Sequence, residues 1–364
     1  MKCIHCQHDS KLKERTNRYC PKCRRQFAFE PREGDPVTDM LFHNAIQAVS
    51  GEGRIHWGVE HLYYEVCRRS RRQFQAGCLV FPVFIMGIAV LAHLTKKIPR
   101  EVMMGVVAGV LAVVLVYVLG SWLLRVFGGK VRFSLGEFNN LWTRWTQVKG
   151  KPPGLIERVI APPVPTDLED DIGDYSFDRA VICDRARTVD LLLANNFHFE
   201  NNCAVLSIDG YPKGPFPIVK KMLQQNPKLQ VFVIHDCTPG GCRLAQKLID
   251  DAGWFAGRHM RVIDLGLRPR HAKPFKGLYL PAEDSVDSGK GISASEASWL
   301  SGSQLELAAI RPEQVLKRLF AGLQAHAGDE PTTADSGGSV TTYGAFDSGG
   351  YGGEADGGGS DAFG

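Results

Sequence analysis

The stretch VMMGVVAGVLAVVLVYVLGSWLL, residues 102–124, carries no charged side chain. As a helix rising about 1.5 Å per residue, it outreaches the roughly 30 Å hydrocarbon core of a bilayer. A second apolar run, CLVFPVFIMGIAVLAHL (78–94), is shorter and holds Pro82 and His93, which makes it a minimal span. The alternative is a buried core hairpin, but soluble domains rarely place an uncharged run of this length in a core. Residues 78–127 are therefore expected to form a two-helix transmembrane hairpin, with the lipid bilayer as partner.

The flanks set the orientation. CRRSRRQF (67–74) precedes the first run, and Arg125, Lys130 and Arg132 follow the second. The connecting TKKIPRE is also basic, but the larger count lies outside the hairpin. Positive charge stays on the cytoplasmic side, so a multi-pass protein of the cell membrane with both termini in the cytoplasm is expected. Cysteine usage agrees. The chain has ten cysteines, and the six outside the N-terminal pairs are scattered without the pattern of a secreted disulfide framework.

The other four, Cys3, Cys6, Cys20 and Cys23, form two C-x-x-C pairs separated by thirteen residues. Four thiolates on two knuckles close a tetrahedral site, and a unit of this size cannot fold on an apolar core alone. Residues 1–30 are thus expected to be a zinc ribbon with structural Zn²⁺, because four protein ligands leave no open coordination position. Such ribbons bind nucleic acid or protein, and the residues do not choose between them.

Helical periodicity predicts helices within 35–75 and an amphipathic helix within 131–158, with Phe138, Leu141 and Trp145 on one side. Residues 159–176, Pro-rich and then acidic, read as a linker. Residues 324–364 are Gly-, Ser- and Asp-rich and are expected to be disordered. Between them, four apolar runs each meet an aspartate: AVICD (180–184), VLSID (205–209), FVIHD (232–236) and RVID (261–264). Helix-like stretches alternate with them, which predicts βαβ units and a parallel sheet over 178–323. Ligands bind such sheets beyond the carboxyl ends of the strands. Asp184, Asp209 and Asp236 would gather there around a divalent cation such as Mg²⁺, or each would cap the helix that follows it.

The segments VICDRARTVDLLLANNFHF, VLSIDGYPKGPFPIVKKML, VFVIHDCTPGGCRLAQKL, RVIDLGLRPR and LELAAIRPEQVLKRLF resemble the Toprim domain. The resemblance is to the version in the A subunit of type VI topoisomerases and related double-strand-break transesterases. It implies an α/β Toprim-like sheet domain acting on nucleic acid phosphodiesters with Mg²⁺. The family motif Asp-x-Asp-Pro-x-Gly stands here as Asp236-Cys237-Thr238-Pro239-Gly240-Gly241, with Thr238 replacing one carboxylate. Asp184 stands near the family's glutamate position, and Asp209 where a basic or neutral residue is common. The resemblance also implies a cleaving tyrosine, and HLYYEVCRR (61–69) places Tyr64 there; an ordinary packing role is the alternative. Arg268, Arg270, Lys273 and Lys276 suit a phosphodiester backbone, or else a solvated loop. The chain holds no ATPase motif, so a full topoisomerase would need a protein partner. Two functions stand at this point: a metal-dependent nuclease or topoisomerase-A-like enzyme, and a catalytically silent binding or scaffold module at the membrane.

Overall fold

The computed structural model describes residues 1–70, 133–157, 177–326 apart from 227, 259 and 283, and 339–342. The hairpin expected over 78–127, the linker over 159–176 and most of the tail lie outside the described residues. Among the described residues no helix is long and apolar enough to cross a membrane. The chain divides into two compact units. One holds residues 1–43 with the described parts of 66–148. The other holds residues 44–65 with the described parts of 149–355.

The first unit starts with two knuckles of the same construction. The Cys3 N–H donates to the His8 carbonyl at 3.0 Å, and the Cys20 N–H donates to the Arg25 carbonyl at 3.0 Å. The residue after each second cysteine turns the chain back through the left-handed region, Gln7 at φ 56° and Arg24 at φ 54°. That conformation costs a non-glycine residue about 1–2 kcal/mol, so each turn is held by what surrounds it. The chain then enters the buried segment Phe27–Glu30. The Asp39 carboxylate accepts from the Ala28 and Phe29 N–H groups at 2.8–3.1 Å, and Arg15 forms a buried ion pair with Glu30. Asp39 opens helix α1 (Asp39–Val49).

Helix α2 covers residues 59–70 where it is described. Helix α3 (Leu135–Lys149) starts on a reciprocal cap, in which the Ser134 N–H donates to the Glu137 carboxylate and the Glu137 N–H donates to the Ser134 hydroxyl. It buries Phe138, Leu141 and Trp145, as the periodicity predicts. Phe29, Phe42, Phe138 and Trp145 form one aromatic cluster with ring centroids 4.8–6.4 Å apart.

In the second unit, strands β1 (Arg179–Cys183), β2 (Ala204–Ser207), β3 (Gln230–Ile234) and β4 (Arg261–Asp264) form a parallel sheet with helices between them. The fold is the α/β arrangement predicted from the four apolar runs. A fifth strand, β5 (Ser339–Thr342), pairs with β4 in parallel, giving the order β2-β1-β3-β4-β5. This corrects the expectation that 324–364 lacks structure throughout. Ser-Val-Thr-Thr is a short β-branched run that suits an edge position. The crossovers are α4 (Ala186–Ala194), α5 (Phe216–Gln225) and α6 (Leu244–Asp250). Helix α7 (Ala294–Leu300) and helix α8 (Pro312–Ala325) follow. Ile182, Val231, Val233, Leu244, Leu248, Phe255 and Val262 belong to one continuous core.

Residues 44–65 belong with this sheet rather than with a separate helical region. Trp57 bridges to Leu155, the His56 N–H donates to the Asn195 side chain at 2.9 Å, and Arg311 pairs with Glu65 at 3.0 Å.

The chain leaves β4 through Gly266, whose N–H donates to the Asp264 carboxylate. A Cβ at Gly266 would lie 2.2 Å from the His235 ring, whose side chain is fully buried. We predict that Gly266→Ala destabilises the protein by about 2 kcal/mol or more, since an overpacked core side chain here has no free direction. Equilibrium denaturation of the two proteins measures it.

Candidate functional site

At the carboxyl end of β3 two consecutive side chains point to opposite networks. His235 enters the interior. Its Nδ1 lies 2.7 Å from the Asp236 carbonyl and its Nε2 lies 3.0 Å from the Asp264 carboxylate. Both partners are acceptors, so the ring donates from both nitrogens and is an imidazolium. Burial alone would lower its pKa, but the Asp264 charge outweighs that and raises it to about 9. Asp264 would be raised by burial, yet His235 and Arg268 hold it well below the usual carboxylate range. Arg268 completes the set, donating to Asp264 at 2.6 and 2.9 Å and to the Cys242 and Gly291 carbonyls.

Asp236 turns toward the rim. Its own N–H donates to Asp184 Oδ2 at 2.8 Å. Its Oδ1 accepts from the Leu307 N–H at 2.7 Å and its Oδ2 from Arg185 Nε at 2.6 Å, with an Arg187 nitrogen 3.6 Å away. Arg187 in turn donates to Glu306 at 2.7 Å. Asp184 Oδ1 is shielded from solvent and has no hydrogen-bond partner among the described residues. Burial, and then the Asp236 charge, raise the Asp184 pKa to about 7.

An open cleft of about 660 Å³ lies over this rim. Asp184, Arg185, Arg187, Asp209, Thr238, Gly240, Gly241, Arg243 and Lys247 are among its walls. Thr238 caps the helical turn Pro239–Cys242, its Oγ1 accepting from the Gly241 N–H at 3.1 Å. Gly241 sits so close to the strand that a Cβ there would lie 2.3 Å from the Asp236 carbonyl.

The structure brings Asp184 and Asp236 together and places Asp209 on the same cleft, exposed. It does not make them a cation cage. Among the described residues the one group of three or more ligand-type side chains gathered at metal-binding distances is the four cysteines. Arg185 holds the Asp236 carboxylate, so a dication there would face a guanidinium. Thr238 offers a hydroxyl already used as an acceptor. The residues present therefore do not fit the Mg²⁺ site that the resemblance implies.

Two other expectations are corrected. Tyr64 is 1% exposed and donates to Glu306 at 3.1 Å. Burial and then the Glu306 charge push its pKa above that of an ordinary phenol, the opposite of an activated nucleophile. Arg268 is buried at 6% exposure and spends its donors inside the protein, so it cannot meet a nucleic acid backbone. Arg270, Lys273 and Lys276 are exposed, and none of them lines the cleft. Arg185, Arg187, Arg243, Lys247, Glu306 and His235 were not singled out in the sequence. The first two carried a signal, since the D-R-x-R of VICDRAR puts two cations directly after a strand-end acid.

The cysteine cluster lies in the first unit. Sγ of Cys3 is 3.6 Å from that of Cys23, and Sγ of Cys6 is 3.7 Å from that of Cys20. All four sulfurs lie within 4.8 Å of one another. A tetrahedral ion with metal–sulfur bonds of about 2.3 Å needs a sulfur spacing of about 3.8 Å, so the four thiols fit one metal ion. Phe27 packs in one buried cluster with these cysteines.

Comparisons with protein-family models, with curated proteins and with solved structures found no match.

The Asp184 shift has a testable consequence. Its folded pKa near 7 lies above the ordinary 3.8, so the folded state holds this proton more tightly than the unfolded chain. Stability should therefore fall as pH rises from about 4 through about 7. Asp184→Asn keeps an acceptor for the Asp236 N–H and removes the titration. We expect the variant to lose that fall and to exceed the parent in stability at pH 7.5, measured by urea denaturation across pH.

Proposed function

We propose that the protein is a membrane-anchored, cytoplasm-facing Toprim-like module that binds its ligand at the strand-end cleft without cutting it. The supporting observation is the Arg185–Asp236 pair at 2.6 Å, with the Leu307 N–H on the other carboxylate oxygen. The acid that would anchor a catalytic cation is already neutralised and oriented by the protein. Tyr64, the residue in the nucleophile's sequence position, is buried and hydrogen-bonded to Glu306. Nucleic acid or a nucleotide is the ligand class that the Toprim resemblance suggests. The N-terminal knuckle is a zinc ribbon in this reading. Cys3, Cys6, Cys20 and Cys23 hold Zn²⁺ as thiolates, which closes residues 1–30 into a folded unit.

Metal-dependent work on phosphodiesters has one observation on its side, the unpartnered Asp184 Oδ1. One carboxylate oxygen is a sparse donor set for a hard dication. The readings separate on the full chain in detergent. Titration with Mn²⁺ should show no binding to the parent or to Thr238→Asp, and no metal-dependent cleavage of DNA or RNA. Mn²⁺ binding that Thr238→Asp tightens, together with cleavage, would establish the enzyme instead.

For the ribbon, elemental analysis should find one zinc per chain. Cys20→Ser should lose the metal and expose residues 1–30 to protease. A purified chain without zinc would remove the ribbon from the proposal.

A further inference from the structure

The cleft has an unusual division of labour among its cations. Arg185 gives Nε to Asp236, and its side chain is still 44% exposed. No hydrogen bond of its two terminal amino groups is made among the described residues, so a guanidinium fixed at one edge presents its other edge to the cleft. Arg187 is braced by Glu306 and Asp236 from behind. Arg243 lines the same cleft and uses one amino group on the Asp287 carbonyl at 2.8 Å, and Lys247, one turn further along, lines it too and is exposed. Gly240 lines the same cleft, is exposed, and a Cβ on it would meet nothing within 4 Å, so the backbone there is open to a ligand.

We propose that this cleft is a phosphoryl-binding site in which Arg185, Arg243 and Lys247 contact the phosphate oxygens directly, with no metal ion between. The proposal rests on the reading of the cleft as a binding site and names its ligand class, a phosphate ester. An Arg held by a carboxylate loses little freedom when it binds, and its planar fork matches phosphate oxygens. The two acids behind Arg185 and Arg187 orient the cations. Asp236 is the one of the two that a metal-dependent site would have turned toward an ion. The volume suits a group of nucleotide size.

The test uses the full chain in detergent with EDTA present and pyrophosphate as probe, followed by calorimetry. Pyrophosphate should bind in EDTA. Arg243→Ala and Lys247→Ala, both on the cleft surface, should each weaken binding about tenfold, and Lys247→Arg should retain most of it. Lys228→Ala, at an exposed site outside the cleft lining, should change nothing. A mononucleotide and a single-stranded oligonucleotide, titrated in the same way, distinguish the two sources of the phosphate ester. Absence of binding by all three probes, binding that needs Mg²⁺, or binding indifferent to both alanine variants would overturn the proposal. Metal-dependent cleavage would overturn the functional reading instead. Silence toward phosphate without cleavage would remove this inference alone.

Discussion

The carboxylate of Asp236 is the constraint on which the site depends. It is 1% exposed, and it is satisfied by one backbone N–H and one guanidinium from two other parts of the chain. A buried anion without such partners would be several kcal/mol unfavourable, so the partners are a condition of the fold as much as of function. The pairing fixes Arg185, which follows β1, and draws in Leu307, which precedes α8. The cleft therefore has its shape because one acid at a strand end had to be neutralised.

The neighbouring residue applies the same logic inward. His235 and Asp236 are adjacent at the strand end, and alternation sends them to opposite faces. His235 joins Asp264 and Arg268 in a fully interior set of two cations and one anion. The Arg268 guanidinium also accounts for the Cys242 and Gly291 carbonyls, which ties the helical turn after β3 to the loop before α7. Glycine at 266 and 241 follows from these pairings, since each lets the backbone pass within contact distance of the His235–Asp236 pair. The apolar strands build the sheet, and the polar residues at their ends set where the next segments lie.

The sheet was legible because four apolar runs ending in acids, separated by helix-length segments, admit little besides a parallel α/β arrangement. The cysteine cluster was legible because its spacing is local. Phe138, Leu141 and Trp145 were legible because helical period alone places them on one face. The site was legible in its acids and illegible in their partners. Nothing local says that Arg185 turns to Asp236, fifty-one residues away. Nor does it say that Tyr64 meets Glu306, 242 residues away. Arg268 was misplaced for a related reason. In sequence it sits among exposed Arg270, Lys273 and Lys276, and only the fold shows that Asp264, four residues earlier, turns it inward. The strand at Ser339–Thr342 was masked by the composition around it, which is dominated by glycine.

The threonine at 238 and the arginine at 185 belong to one electrostatic arrangement. A third carboxylate beside Asp184 and Asp236 would add negative charge to a rim where Asp184 already has a raised affinity for its proton. Such a set is stable when a dication sits among its members. Here the compensating charge is built into the chain as Arg185 and Arg187, and that supply matches fewer acids. Threonine gives position 238 what the local backbone needs, an oxygen that accepts the Gly241 N–H, and adds no charge. Asp236 is thus paired without an ion, and Arg243 and Lys247 remain on the cleft wall for the phosphate ester proposed above.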